Sequence, residues 1–329
     1  MKNGSSKRSR RVLLASVSVV ALITVYSEVH AADITPRMAT KAPPAVIRDE
    51  WIWWVEGGAF YSAGDFDPLV PRPGWGGEGA IGFDYKAAAF SPYHISGQFR
   101  YGQAKRSALF SQSQTFVNTA TSRPAIGVTN GTVDNKEHHW LVDFAVGRDF
   151  ALGSGNVQAK LGVRVADLHS KASSNGFFNG ALSGTATLVS GPVAFEQRSK
   201  FLGVGPRLGI DGTAPLGGAW TFDYLAGVAV LFGRRSLDIT STTNLLTSGG
   251  PGVFLAGTRA SSSSSTGAVF NLDAQAGLSY WFNQNFKLTA SYRFDGYWNA
   301  LRTIDINGNI SNKDRFFHGP MLRATLKYP

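Results

Sequence analysis

Six residues have side chains able to do chemistry if the fold brings them together: Asp134, Glu137, His138, His139, His169 and His318. A histidine held beside a carboxylate can take a proton from water and activate it for hydrolysis. Their spacing, however, matches neither a nucleophile motif nor a metal-ligand pattern. The chain has no cysteine, which excludes disulfides and thiolate metal sites. Gly203-Val-Gly-Pro-Arg-Leu-Gly209 resembles a phosphate loop at first sight, but its spacing is G-x-G-x-x-x-G and Pro206 interrupts it. The sequence therefore gives no catalytic residue, no metal and no cofactor. An enzyme with a rim His/Asp site is the least favoured function.

A larger set of charges is organised differently. In Arg198–Arg235, Leu202, Val204, Pro206, Leu208 and Ile210 alternate with Gly203, Gly205, Arg207, Gly209 and Asp211, and the alternation resumes at Trp220 after a Gly/Pro turn. Side chains on a strand point to opposite faces with period two, so each arm has one oily face and one small or polar face. The arms are long enough to cross a bilayer, which takes about 9 to 11 residues. The same pattern marks Trp51–Tyr61, Gly74–Lys86, His94–Gly102, Glu137–Phe150, Asn156–Ser170, Ala268–Phe282, Asn285–Trp298 and Phe316–Tyr328. With the opening hairpin this makes ten strands, an even number; 8 or 12 remain open because Pro206 and Pro320 fall inside strands, where bulges are expected.

The elements around these strands fix the compartment. Residues 1–31 read as a signal peptide: five bases, an apolar run from Val12 to Tyr26, and Val29-His30-Ala31 as the cleavage site. Removing this leader, with its five bases and Glu28, lowers the formal charge from +10 to +6. Residues 32–50 form a proline-bearing periplasmic lead-in, and 51–329 the barrel. No later stretch is apolar for long enough to be a membrane helix, and backbone groups in lipid must be satisfied internally, so a membrane span here must be a closed barrel. The expected fold is all-β: a transmembrane antiparallel up-and-down barrel with short periplasmic turns and long extracellular loops. Aromatic girdles fall at Trp51, Trp53, Tyr85, Phe150, Trp220, Tyr280, Phe282, Phe286 and Tyr328 on one level and at Tyr61, Trp75, Tyr101, Trp140, Phe232 and Phe316 on the other. The long connections Lys105–Asn135, Ala172–Glu196 and Ser236–Ser265 are rich in Ser, Thr, Asn and Gly, and read as flexible surface loops, one of which could fold inward.

Alternation assigns the inner face. Glu56, Glu78, Asp84, Lys86, Arg100, Asp143, Lys160, Arg164, Arg207, Asp211, Asp223, Asp273, Lys287, Arg293, Asp295 and Arg323 are expected to line a pore. If the pairs line one wall they leave a narrow polar channel; if they span the lumen they plug it. The inward glycines Gly203, Gly205, Gly209, Gly227 and Gly233 favour open space. Lys105, Arg106, Lys171, Arg198, Lys200, Arg234, Arg235 and Arg315 sit at outer strand ends, where they could meet lipopolysaccharide phosphates, Lys105, Arg106, Lys171, Arg234 and Arg235 foremost.

With the strands laid out, the chain resembles the family of the Legionella major outer membrane protein. The carrying stretches are Glu137-His-His-Trp-Leu-Val-Asp-Phe-Ala-Val-Gly-Arg-Asp-Phe150, Lys160-Leu-Gly-Val-Arg-Val-Ala-Asp-Leu168, Gly203–Gly209 and Phe232-Gly-Arg-Arg235. The resemblance implies a pore-forming protein of the bacterial outer membrane. The expected function is porin-like passive diffusion of small hydrophilic solutes; the alternative is a closed structural or adhesive barrel that displays its loops. Expected partners are outer-membrane lipid and lipopolysaccharide, the barrel assembly machinery, and a homo-oligomer without disulfides, but no nucleic acid. The chain ends in Pro329 where such barrels usually end in an aromatic residue, so Tyr328 would carry that role.

Overall fold

A computed structural model describes residues 49–64, 74–118, 123–152, 155–248, 253–304 and 309–328. The signal peptide and nearly all of the lead-in expected from sequence lie outside these residues. Ten antiparallel strands close into one ring in the order β1-β10-β9-β8-β7-β6-β5-β4-β3-β2. They are β1 Glu50–Gly64, β2 Gly74–Lys86, β3 Tyr93–Asn118, β4 Arg123–Leu152, β5 Gly155–Leu182, β6 Leu188–Gly217, β7 Trp220–Thr247, β8 Val253–Trp281, β9 Phe286–Ile304 and β10 Ile310–Tyr328. Closure pairs Trp51 with Tyr328 and Gly64 with Arg315, so that neither terminal strand leaves a bare edge.

Each strand turns its oily side outward. Trp75, Ile81, Phe144, Leu161, Val163, Leu208 and Phe232 are among the exposed large apolar residues, as a lipid-facing band requires. On β2 the band runs from Trp75 to Tyr85. At about 3.4 Å per residue and a tilt of about 45° that spans about 24 Å, close to the ~25 Å apolar height of such barrels. Trp51 stacks on Tyr85 at 4.4 Å, and Trp220 meets Tyr280 edge-on at 5.0 Å, at the short-turn end. At the other end Tyr61 meets Trp75 edge-on at 5.6 Å.

Two expectations are corrected. Pro206 and Pro320 produce no bulge: Val204↔Phe232 and Arg207↔Ala229 keep one offset, and Pro320 pairs with Tyr292 in register. Each proline lacks ladder partners on one side only, β7 for Pro206 and β1 for Pro320, and keeps them on the other. The register shifts lie elsewhere, at Lys313/Arg315, Pro215/Gly217 and Leu245/Leu246.

The second correction is larger. Lys105–Asn135, Ala172–Glu196 and Ser236–Ser265 are not loops but mostly continuous strand. β3 to β8 run 26 to 30 residues, against 13 to 19 for β1, β2, β9 and β10. Six strands thus rise past the bilayer as a tall wall. Asn118 at the end of β3 donates 2.5 Å to the carbonyl of Phe254 near the start of β8, so the first and last strands of the wall meet at the tip. Inside the roll, Ala125, Phe178, Val189, Leu245 and Phe254 form a small buried core. Above the membrane no outward oily face is needed, so Ser and Thr can occupy the outer positions.

Phe178 is fully buried and meets Phe116 edge-on at 5.0 Å. Phe178→Ala should cost about 3–5 kcal/mol locally. Hydrogen exchange should quicken in residues 110–130 and 175–195 while β1 and β2 keep their protection; uniform loss around the ring would mean that lobe and barrel unfold as one unit.

Candidate functional site in the barrel lumen

Period-two alternation delivers the sixteen inner-face charges to the interior, where they separate into two levels. Asp84, Lys86, Lys160, Asp211, Asp223 and Lys287 surround a polar vestibule of about 230 Å³ at the short-turn end. Lys86 pairs with Asp149 at 2.6 Å, Lys160 with Asp84 at 2.9 Å and Asp211 at 3.1 Å, and Lys287 with Asp223. Trp54 and Trp281 are the inward aromatics here, Trp54 beneath the Arg323 guanidinium at 4.2 Å and Trp281 beside Lys287 and Lys327.

The other ten cross the bore beyond them, with Asp143, Arg207 and Arg323 also reaching the vestibule. Arg164 forks onto Asp143, Nε to Oδ1 at 2.7 Å and Nη2 to Oδ2 at 2.6 Å, while Nη1 donates to Asp273 at 2.8 Å and to Asn271. Arg207 donates to the second oxygen of Asp273 at 2.9 Å. Arg100 donates to Glu56 at 2.7 Å and to Glu78. Glu56 also accepts from Gln275 at 2.7 Å and Arg323 at 2.8 Å. Arg293 joins the halves, donating to Asp295 at 2.6 Å and lying 3.8 Å from Glu78. Five guanidinium groups thus face five carboxylates, with Arg100 and Arg164 wholly withdrawn from solvent. Forked arginine pairing of this kind is strong and geometrically specific.

Nine strands supply polar members and β7 supplies a gap. A Cβ on Gly227 would lie 2.7 Å from Arg207 Nη2 and from Asp273 Oδ1. The inward glycines are therefore not open space: Gly227 and Gly209 accommodate Arg207, Gly203 accommodates the Phe201 ring, and Gly205 and Gly233 lie against the backbone of the neighbouring strand.

Above the ionic level lies a layer missed from sequence. Phe60, Leu141, Leu168, Phe201, Leu231, Val269, Tyr297, Leu301, Phe317 and Met321 form one buried apolar cluster inside the barrel. A signal was present in runs apolar on both faces, Trp140-Leu141-Val142, Val230-Leu231-Phe232 and Phe316-Phe317.

The chemically suggestive histidines and acids are dispersed. His139 and Glu137 face inward: His139 Nε2 contacts Glu78 at 2.9 Å and its ring stacks on Phe317 at 4.2 Å, while Glu137 accepts from Arg315 at 2.8 Å and from Ser62. His138 and His169 stack at 4.4 Å on the outer face, with Asp167 2.5 Å from His169. Asp134 accepts from Ser107, and His318 is 2.6 Å from the Tyr292 hydroxyl. Among the described residues no group of three or more His, Cys, Asp or Glu is placed to hold a metal.

The expected lipopolysaccharide contacts need correction too. Adjacent residues on a strand face opposite ways, so Lys105-Arg106 and Arg234-Arg235 cannot act as pairs. Lys105, Lys171 and Arg234 face outward. Arg106 shares the side of Arg100 and Ala104, and Arg235 is buried inside, donating to the Ala268 carbonyl at 2.6 Å.

A family model described as Legionella pneumophila major outer membrane protein precursor matches residues 91–328. No curated protein matches the sequence. Among solved structures, the chain is similar to the outer membrane protease OmpT from Escherichia coli, with 10% identity, 85% of this chain and 96% of that one covered, and a TM-score of 0.41. A major outer membrane protein from Thermus thermophilus gives 11% identity over 85% and 99%, TM-score 0.31. An outer membrane channel from Pseudomonas putida gives 9% over 90% and 100%, TM-score 0.31.

Removing one partner from a buried ionic cluster strands the others, at about 3–5 kcal/mol. Arg164→Met should show that loss in urea unfolding from detergent micelles, and the double variant Arg164→Met, Asp143→Leu should recover part of it. A double variant no better than the single would mean that Asp143 is held by other groups.

Proposed function

The chain belongs to the Legionella major outer membrane protein family and resides in the outer membrane; on that footing we propose that it works as a closed barrel presenting its six-strand lobe at the cell surface. One observation carries this reading: an ionic network and an apolar layer lie in series across the bore. Buried, paired and packed side chains at both levels stand against the passage of hydrated solutes. The lobe provides the working surface, with Val117, Ile126, Val128 and Phe177 exposed on it. Exposed apolar side chains of this kind suit protein or surface contacts.

Porin-like diffusion is the second reading, and a specific feature favours it. Among the described residues the deep level is held by side-chain ion pairs, and it adjoins the polar vestibule. Such pairs can exchange partners without moving the backbone, as a gate would.

Planar bilayer recordings separate the two. The unmodified folded protein should give no sustained single-channel steps, and Phe201→Ser, Leu231→Ser, Phe317→Ser combined with Arg164→Gln, Asp143→Asn should give measurable ones. Frequent, long-lived steps from the unmodified protein would overturn the closed reading in favour of a diffusion pore.

A further inference from the structure

On the outer face of the tall wall, four cations occupy one cross-strand row. Lys105 on β3 stands directly opposite Lys136 on β4, Lys136 opposite Lys171 on β5, and Lys171 opposite Arg198 on β6. Directly opposed like charges destabilise a sheet. Alternation puts all four on the outside, with Lys105, Lys136 and Arg198 exposed. The acids nearby offset only part of this charge. Glu196 takes Lys171 at 2.9 Å and Arg198 at 2.5 Å, and the hydrogen bond from Lys171 holds its carboxyl below the usual range. Asp238, which ends the row opposite Arg198, accepts a bond from Ser262 at 2.6 Å.

The height of the row matters as much as its charge. Four residues below it on β3 and β4, Tyr101 pairs with Trp140 in the outer aromatic girdle. At about 3.4 Å per residue and a tilt of about 45°, Lys105 and Lys136 stand about 10 Å above those rings. Aromatic belts mark the headgroup level of a bilayer. A row of like charges just beyond it faces the polar headgroups of the outer leaflet.

We propose that Lys105, Lys136, Lys171 and Arg198 form a binding site for the phosphate groups of an anionic outer-leaflet lipid. The lipid supplies the countercharge that the sheet lacks. It also brings several phosphates together on one anchored molecule, which a free ion cannot do. This assignment keeps Lys105, Lys171 and Arg198 from the sequence expectation, adds Lys136, and leaves out Arg106 and Arg235, which face the other way, and Arg234, which lies off the row. It is independent of whether the lumen conducts.

The test uses the full chain folded in an uncharged detergent. Thermal unfolding is followed by the gel mobility shift of the intact barrel, with and without lipid A carrying its two phosphates. The probes run in parallel are dephosphorylated lipid A, inorganic phosphate and a heparin oligosaccharide. Phosphorylated lipid A should raise the unfolding midpoint, and the other three should not. K105S/K136S/K171S should abolish the rise, with affinity reduced roughly 5-fold per cation and so on the order of 100-fold for three. Without lipid, the triple variant should unfold no lower than the parent, because the repulsion is gone. The single variant Lys136→Gln, flanked by a cation on each side, should show the same two trends should the triple variant fail to fold. An equal rise with dephosphorylated lipid A, an undiminished rise in the variants, or a lower lipid-free midpoint for Lys136→Gln would overturn the proposal. A rise with heparin alone would overturn it in favour of a soluble sulfated polysaccharide.

Discussion

Every backbone N–H and C=O inside a bilayer must find its partner within the protein. In this chain the pairing of β1 with β10 meets that demand, and the other features follow from it. A closed ring has an inside and an outside, so period two sorts every residue to one or the other. The outside must be oily over the height of the membrane. The inside collects what remains, including five arginines and five acids that cannot face lipid.

Collected in a ten-strand bore, these charges cannot all stay hydrated. Side chains nearly fill an eight-strand barrel, and two more strands add little width. The charges are instead matched one for one and locked by forked hydrogen bonds, with Gly227 leaving room for Arg207 where a side chain would collide. A matched, desolvated cluster contributes less to net stability than its contacts suggest, but removing one member is costly. The apolar layer around Phe201 and Phe317 needs no such matching and excludes water by packing alone. The two levels thus rest on different physics, ion pairing in one and apolar packing in the other.

Much of this was legible in the sequence because lipid imposes a simple rule. Trp75, Phe83, Val142, Phe144 and Leu208 alternate with polar residues, and the strand number, the short turns and the sixteen inner-face charges followed from that alternation. Where lipid no longer imposes the rule, legibility failed. The Ser/Thr-rich segments beyond the girdle look like loops because neither face must be oily, yet they pair residue for residue, as Ser113↔Val128↔Asn179 shows. Inside the barrel, glycine was read as empty space because a sequence does not show which neighbour fills it. The error at Arg106 and Arg235 was of another kind: alternation, applied one residue further, would have turned both inward.

The tall wall also constrains how the surface of this protein can vary. In a loop, residues can be inserted or lost singly with little consequence. In β3 to β8 a single insertion must be taken up by a bulge, as at Leu245/Leu246, or it turns every residue beyond it inside out and misaligns the partner strand. Changes of length are accommodated most readily at the hairpin tips. Diversification by substitution on the outward face, rather than by growth and loss of segments, is the course this architecture leaves open.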